Sequence, residues 1–229
     1  MINLSSKIYV AGHNGLVGSA IFRKLKKKGY KNVIYSTRKK LDLTNQLSVY
    51  KFLKKTKPKF IFICAAKVGG ILANNKYKAD FITQNILIQT NLINGAFLAG
   101  VKDLIFLGSS CVYPKNCKQP IKESYLLTGE LEETNDAYAV AKIAGLKMCQ
   151  SFNEQYKLNY KCLMPTNTFG PRDNYDSANS HFIPAIIKKV HDLKASNNNE
   201  IKIWGDGTPK REIIHVDDLA DACIYFMKK

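Results

Sequence analysis

The sequence predicts a doubly wound α/β fold, a parallel sheet of Rossmann type with helices on both faces. Three observations carry that expectation. Short apolar runs alternate with longer stretches of helical character through the first 165 residues. Runs such as Phe60–Ala65 are apolar at every position, as in strands buried on both faces of a parallel sheet. A glycine-rich turn joins the first run to the first helical stretch.

Taken in order, Lys7–Ala11 reads as the first strand and Leu16–Lys28 as the first helix, with Gly29 its natural stop. Asn32–Ser36 is a second strand and Gln46–Lys54 a helix. The buried strand Phe60–Ala65 leads to a long helix, Ala79–Ala99, and then to the strand Leu104–Gly108. Ala137–Tyr156 is a helix, and Tyr160–Met164 is a fifth strand. The rhythm changes after Pro165. The turn-rich Gly170–Asn174 precedes a helix near Pro184–Leu193, a loop at Asn197–Asn199, a short strand at Ile201–Trp204 and a strand at Glu212–Val216. Residues 1–165 and 211–229 are thus expected to form a dinucleotide-binding domain, to which the helix Asp217–Met227 returns. Residues 166–210 form part of a smaller substrate lobe. No repeat or low-complexity stretch interrupts this order.

Composition limits the function classes. Hydrophobic residues make up 45% and charged residues 23%, ordinary for a globular protein without membrane spans. A core strand begins at Lys7, which leaves no room for an export signal. The six cysteines are scattered without a CxxC pair, arguing against a zinc site or a disulfide framework. The expectation is a cytoplasmic protein with reduced thiols and no metal. The net charge is +17, which could mark a nucleic-acid binder. Only four of the 35 basic residues are arginines, however, and base-edge readout favours the guanidinium fork. The lysines read as solvated faces, and their field suits anionic small molecules.

The turn after the first strand is Gly12-His13-Asn14-Gly15-Leu16-Val17-Gly18. Glycines there let backbone approach a pyrophosphate, and the helix N-terminus supplies free N–H groups. At the end of the second strand, an NAD-binding carboxylate is absent. Ser36-Thr37-Arg38-Lys39-Lys40 stands in its place. Cations there suit the 2′-phosphate of NADP(H), and Arg38 can pair with it bidentately. Asp42 and Leu43 suit an adenine contact.

Tyr138 and Lys142 are four residues apart, on one face of a helix. A lysine charge near the phenol is expected to lower its pKa toward neutrality and let it exchange a proton with a substrate oxygen. Gly108-Ser109-Ser110-Cys111 follows a buried strand, so Ser109 lies at the strand's C-terminal edge, where such sheets bind ligands.

Together these residues resemble the extended short-chain dehydrogenase/reductase family. Ala65-Ala66-Lys67-Val68-Gly69-Gly70-Ile71, Gly108–Pro114, Met164-Pro165-Thr166-Asn167 and Asn179-Ser180-His181 are similar to the GDP-L-fucose synthase branch of it. Arg211–Asp218 resembles a motif shared across the extended family.

The resemblance implies a GDP-4-keto-6-deoxy-D-mannose substrate, epimerised at C3 and C5 and reduced at C4. It implies that Ser109 and Tyr138 bond the C4 oxygen, that Lys142 holds the nicotinamide ribose, and that Cys111 and His181 are the epimerisation acid/base pair. It extends the cofactor site to Ala65, Ala66, Leu107, Gly108, Pro165, Thr166, Asn167, Thr168 and His181. It gives Lys189, Trp204 and Arg211 to the substrate, and implies a homodimer through the two long helices.

Three departures stand out. Asn14 replaces an arginine common in the family, and Lys189 replaces another. Family members also continue past Lys229, so an unpaired sheet edge and an open substrate cleft are expected. Two other readings follow: another sugar-nucleotide epimerase or reductase of the extended family, or a truncated NADP-binding protein without catalysis.

Overall fold

The computed structural model describes residues 2–176, 180–196, 200, 201, 203, 205–208 and 210–229. Five parallel strands form the main sheet: β1 (Ile8–Ala11), β2 (Val33–Ile34), β3 (Phe60–Ile63), β4 (Asp103–Leu107) and β5 (Asn159–Leu163), in the order β2-β1-β3-β4-β5. Register is continuous from Ile8 beside Phe60 to Leu107 beside Leu163. The strand order reverses between β1 and β3, where a crevice opens at the C-terminal ends of doubly wound sheets.

Side chains alternate across this sheet with period two. Tyr9, Ala11, Ile61, Ile63, Leu104 and Phe106 enter one core. Ile8, Val10, Phe60, Phe62, Ile105 and Leu107 enter the other. The first core is covered by α2 (Gln46–Thr56), α4 (Lys78–Leu98) and α5 (Asp136–Tyr156), the second by α1 (Leu16–Lys27) and α7 (Val216–Lys228). Helix α3 (Ile71–Lys76) is a short turn before α4. Apolar residues at Ile21 and Leu25 give α1 its buried face, and Gly29 ends it at φ +83°. The bonds Gly29 N–H to Lys26 O and Tyr30 N–H to Leu25 O satisfy its last carbonyls. The Asn45 side chain caps α2 by accepting from the Ser48 N–H at 2.9 Å.

Helix α7 packs on α1 through its buried residues Leu219, Cys223 and Met227. Arg23–Asp217 at 3.1 Å and Lys24–Asp221 at 2.6 Å line the rim; such exposed pairs add little stability. Strands β6 (Asn167–Phe169) and β7 (Ile213–His215) form a second, two-stranded parallel sheet. Helix α6 (Phe182–Ala195) lies between them in sequence.

Several expectations need correction. Ile201 and Ile203, the described residues of the expected strand Ile201–Trp204, lie in no strand. Trp204 and the loop Asn197–Asn199 lie outside the described residues. The second strand shrinks to Val33–Ile34, the only part that pairs with β1. Strand β6 was not foreseen because Asn167 and Thr168 are polar; pairing with β7 makes it a strand. Among the described residues, strand β5 pairs only with β4. Among the described residues no helix is long and apolar enough to cross a membrane.

Candidate active site

The glycine turn sits at the strand-order reversal and is shaped by close approach. Gly12 has φ +87°, and a Cβ there would meet the Ala65 backbone at 2.7 Å. A Cβ on Gly18 would lie 2.1 Å from the Gly12 carbonyl oxygen. These two positions therefore admit only glycine without rearrangement. Gly15 differs: nothing stands closer than 3.5 Å to its hypothetical Cβ. That leaves room above the start of α1, whose first-turn amides, from Leu16 to Gly18, lack intrahelical partners. No acidic residue occupies that turn. The geometry fits a pyrophosphate: a cradle at Gly15, open amides and the positive end of a helix dipole.

Arg38 is exposed and faces Asp42, whose carboxyl lies below the usual range. The main causes are bonds from the Thr44 N–H and hydroxyl, at 2.9 and 2.8 Å, with the Arg38 charge adding to them. Asp42 thus shapes its own turn. Leu43 packs on the core, and its carbonyl accepts from Asn91 of α4 at 2.9 Å. Asn14 is exposed at the glycine turn. Beside it, the His13 ring lies tilted against Tyr35 with ring centroids 4.6 Å apart, a contact that nothing in the local sequence signals.

The catalytic candidates gather past the end of β4. A 3₁₀ turn, Ser110–Val112, follows the strand, and Ser109 caps it. The Ser109 Oγ accepts from the Cys111 N–H at 3.4 Å, leaving its own proton to donate. The Ser110 N–H reaches Pro165 O at 3.3 Å and Gly108 N–H reaches Leu163 O at 2.8 Å, tying this edge to β5. Helix α5 brings Tyr138 and Lys142 alongside. The Lys142 Nζ donates to the Leu107 carbonyl at 2.7 Å and lies 4.7 Å from the Phe106 ring centroid and 5.7 Å from that of Tyr138. Ser109, Cys111, Tyr138 and Lys142 therefore share one site.

The electrostatics differ from expectation. Burial, aided by Cys111, pushes the Tyr138 phenol up rather than down. Lys142 is 4% exposed, and desolvation lowers its ammonium to about 8. The lysine's effect on the phenol is outweighed because both groups are removed from water. Burial also raises the Cys111 thiol, against the lowering effects of Ser109 and Lys142.

Between pH 8 and 10.5 the unfolded chain holds a proton on Lys142 that the folded chain has released, so this residue makes stability rise with pH across that window. Below pH 8 its cost is full, roughly 3 kcal/mol. Lys142→Met is therefore expected to stabilise the protein at pH 7 by a fraction of that, after loss of the bond to Leu107. The gain should shrink toward pH 10, as read from urea midpoints; a gain independent of pH would refute this account.

His181 stands apart from that cluster. It occupies the N-cap position of α6 without a capping bond. Desolvation lowers its imidazole, while Asp173 raises it. Among the described residues, no hydrogen bond or electrostatic coupling joins it to Cys111. Among the described residues, Asp173 Oδ2 and Ser180 Oγ are buried without a hydrogen-bond partner. Thr166, Asn167 and Thr168 form the strand-end path from β5 into β6, with Asn167 bonded to Glu212 O. Lys189 is half-buried on α6, and Arg211 is exposed beside Lys210.

Comparison with known proteins adds an independent finding. Residues 8–229 match the NAD dependent epimerase/dehydratase family. The chain is 52% identical over 229 residues to GDP-L-fucose synthase 1 of Arabidopsis thaliana, covering 100% of the chain and 71% of that relative. It is 49% identical over 222 residues to GDP-L-fucose synthase of Escherichia coli, covering 97% and 69%. A GDP-D-glycero-L-gluco-heptose synthase from Campylobacter jejuni, solved in the presence of NADPH, superposes with a TM-score of 0.92 at 39% identity, covering 100% of this chain and 75% of that one.

Proposed function

This chain belongs to the NAD dependent epimerase/dehydratase family, in its GDP-L-fucose synthase branch, and we propose from that premise that it converts GDP-4-keto-6-deoxy-D-mannose to GDP-L-fucose with NADPH. The observation that carries the proposal is Cys111 placed against Ser109 and beside Tyr138 and Lys142. A 4-keto reductase needs only donors at the ketone oxygen. A thiol at the same ketone serves proton exchange at the neighbouring carbons, whose protons the ketone acidifies.

Gly12, Gly15 and Gly18 with the first-turn amides of α1 would hold the pyrophosphate, Arg38 the 2′-phosphate, and Lys142 the nicotinamide ribose. The cofactor supplies the hydride. Ser109 and Tyr138 bond the C4 oxygen and stabilise the enolate during epimerisation and the alkoxide during reduction. Cys111 and His181 move protons at C3 and C5. At neutral pH the raised thiol keeps its proton and the lowered imidazole stays neutral, so the pair offers one donor and one acceptor. Residues 166–210 serve as the substrate lobe, where Lys189 and Trp204 meet the substrate, with Arg211 at the lobe's border. The reading includes a cytoplasmic location, where the six free thiols stay reduced.

Incubation with the keto sugar nucleotide and NADPH, with product stereochemistry read by NMR, tests this function. Oxidation of NADPH with only the C4-reduced, unepimerised sugar as product would favour a simple reductase. Cofactor choice is a separate expectation. Arg38→Ala should weaken NADPH by at least about tenfold and leave NADH within about twofold, since a charge-assisted phosphate contact contributes more than 1.4 kcal/mol. Equal weakening of both in fluorescence titrations would remove Arg38 from the 2′-phosphate.

Helices α4 and α5 pack on each other and keep exposed apolar residues, including Ile86, Leu87 and Val140. These support a two-fold dimer through both helices; a monomeric mass in light scattering at tens of micromolar would refute it.

A further inference from the structure

Three side-chain amides on α4 are about 2% exposed: Asn85, Gln89 and Asn91. Each reaches another part of the site, Asn85 while also donating to the Phe81 carbonyl of its own helix. Asn85 grips the loop after β3, accepting from the Lys67 N–H at 2.8 Å and donating to the Lys67 carbonyl at 2.9 Å. Asn91 donates to the carbonyls of Leu43 and Thr44, at 2.9 and 3.1 Å, in the turn behind Arg38. Gln89 donates through Nε2 to the Ala141 carbonyl of α5.

The Gln89 contact is the informative one. Ala141 lies between Tyr138 and Lys142, and its carbonyl already has a helical partner four residues on, at Gly145. The bond therefore satisfies no orphan group on α5. Among the described residues the buried Gln89 Oε1 has no partner. A buried amide with an unsatisfied oxygen is a costly choice where an apolar side chain would fit. The backbone also makes way for it: a Cβ on Gly145 would stand 3.0 Å from the Gln89 Cδ and 2.5 Å from the Phe106 ring that Lys142 overlies. Stability alone does not account for this arrangement.

The geometry points to α4 as the element that sets the register of the site, with Gln89 a positioning residue that fixes α5, and so Tyr138 and Lys142, against the end of β4. Asn91 does the same for the adenosine turn. This rests on the reading of Tyr138 as the group at the C4 oxygen. Misplacing a reacting group by a fraction of an ångström lowers the rate without unfolding the protein.

Gln89→Met keeps the length and removes both the donor and the unpaired oxygen. Its melting temperature should match or exceed that of the parent. Hydrogen exchange in peptide 137–147 should speed up about tenfold, and kcat for keto-sugar reduction should fall about tenfold. KM for NADPH should stay within about twofold. Gln89→Asn, one methylene too short to reach Ala141, should lose kcat equally, and carries the test alone if Gln89→Met does not fold. Asn91→Leu should do the reverse, raising KM for NADPH while sparing kcat. Unchanged exchange in peptide 137–147 overturns the proposal without any need for turnover. So does an unchanged kcat, or an Asn91→Leu variant that fails in the same way as Gln89→Met. Tyr138→Phe is measured alongside. If it reduces substrate at the parent rate, the reading of Tyr138 has failed. If it is inactive while Gln89→Met behaves as the parent, only the positioning role has failed.

Discussion

Tyr138→Phe is expected to lower the C4 reduction rate by at least about a hundredfold and up to about ten-thousandfold, the range removed with a proton-transfer catalyst. NADPH affinity should change little, because the ring stays in place and only the hydroxyl is lost. The structure sharpens this expectation. Burial raises the Tyr138 phenol, so it is protonated at neutral pH. A reduction that turns a ketone into an alcohol needs a proton on that group at the moment hydride arrives. A raised phenol therefore suits the reductive direction, whereas a lowered one would suit oxidation. The same hydroxyl stabilises the enolate, so solvent deuterium entry into the sugar should slow as well. Single-turnover absorbance at the NADPH band measures the first effect. A rate within about threefold of the parent would mean that another group, Ser109 first among them, protonates the C4 oxygen.

Much of the fold was legible because its code is local. Gly12 and Gly18 are spaced as only a tight strand–helix turn requires, and the structure shows backbone at 2.7 and 2.1 Å where their side chains would be. Phe60–Ile63 is apolar because both sheet faces are covered. What escaped the sequence was decided by partners far along the chain. Asn167–Phe169 becomes a strand only through β7, more than 40 residues later. Ile201 and Ile203 look like a strand by composition, yet neither lies in one, and no partner strand reaches them among the described residues. Helix α3 follows two glycines and contains Asn74 and Asn75, all weak helix formers; the Asn74 side chain holds it by donating to Gly69 and Gly70 carbonyls.

At the site, the sequence named Ser109, Cys111, Tyr138 and Lys142, and the fold brings the four together. It could not show the electrostatics, which depend on burial. A lysine four residues from a tyrosine implies mutual influence, but desolvation of both groups exceeds it. Nor could it show Gln89 and Asn91. An amide at a helix position reads as a solvated residue, and nothing local marks one that crosses to another element.

The second large effect separates epimerisation from reduction. Cys111 and His181 belong to different parts of the chain, a strand-end turn and the start of α6, and no direct bond links them among the described residues. If they act as a pair, the substrate must lie between them, each facing its own carbon or opposite faces of the ring. Cys111→Ser and His181→Asn should then slow deuterium entry at C3 and C5 by about a hundredfold or more while leaving NADPH binding at the parent value. The two losses need not be equal. A serine hydroxyl in place of Cys111 donates a hydrogen bond at least as well, but it gives up its proton far less readily than a thiol. Asparagine at His181 keeps polarity and cannot accept and return a proton at neutral pH. The lowered imidazole makes a further expectation: with His181 neutral above its depressed pKa, exchange should persist to pH values below 6.5 before it falls. Mass spectrometry of the sugar after timed incubation in deuterium oxide reads these rates, with the parent's own exchange as reference. Parent-rate exchange in both variants would return Cys111 to a packing role beside Ser109 and His181 to the N-terminus of α6, and would assign proton transfer at C3 and C5 to other groups of the site.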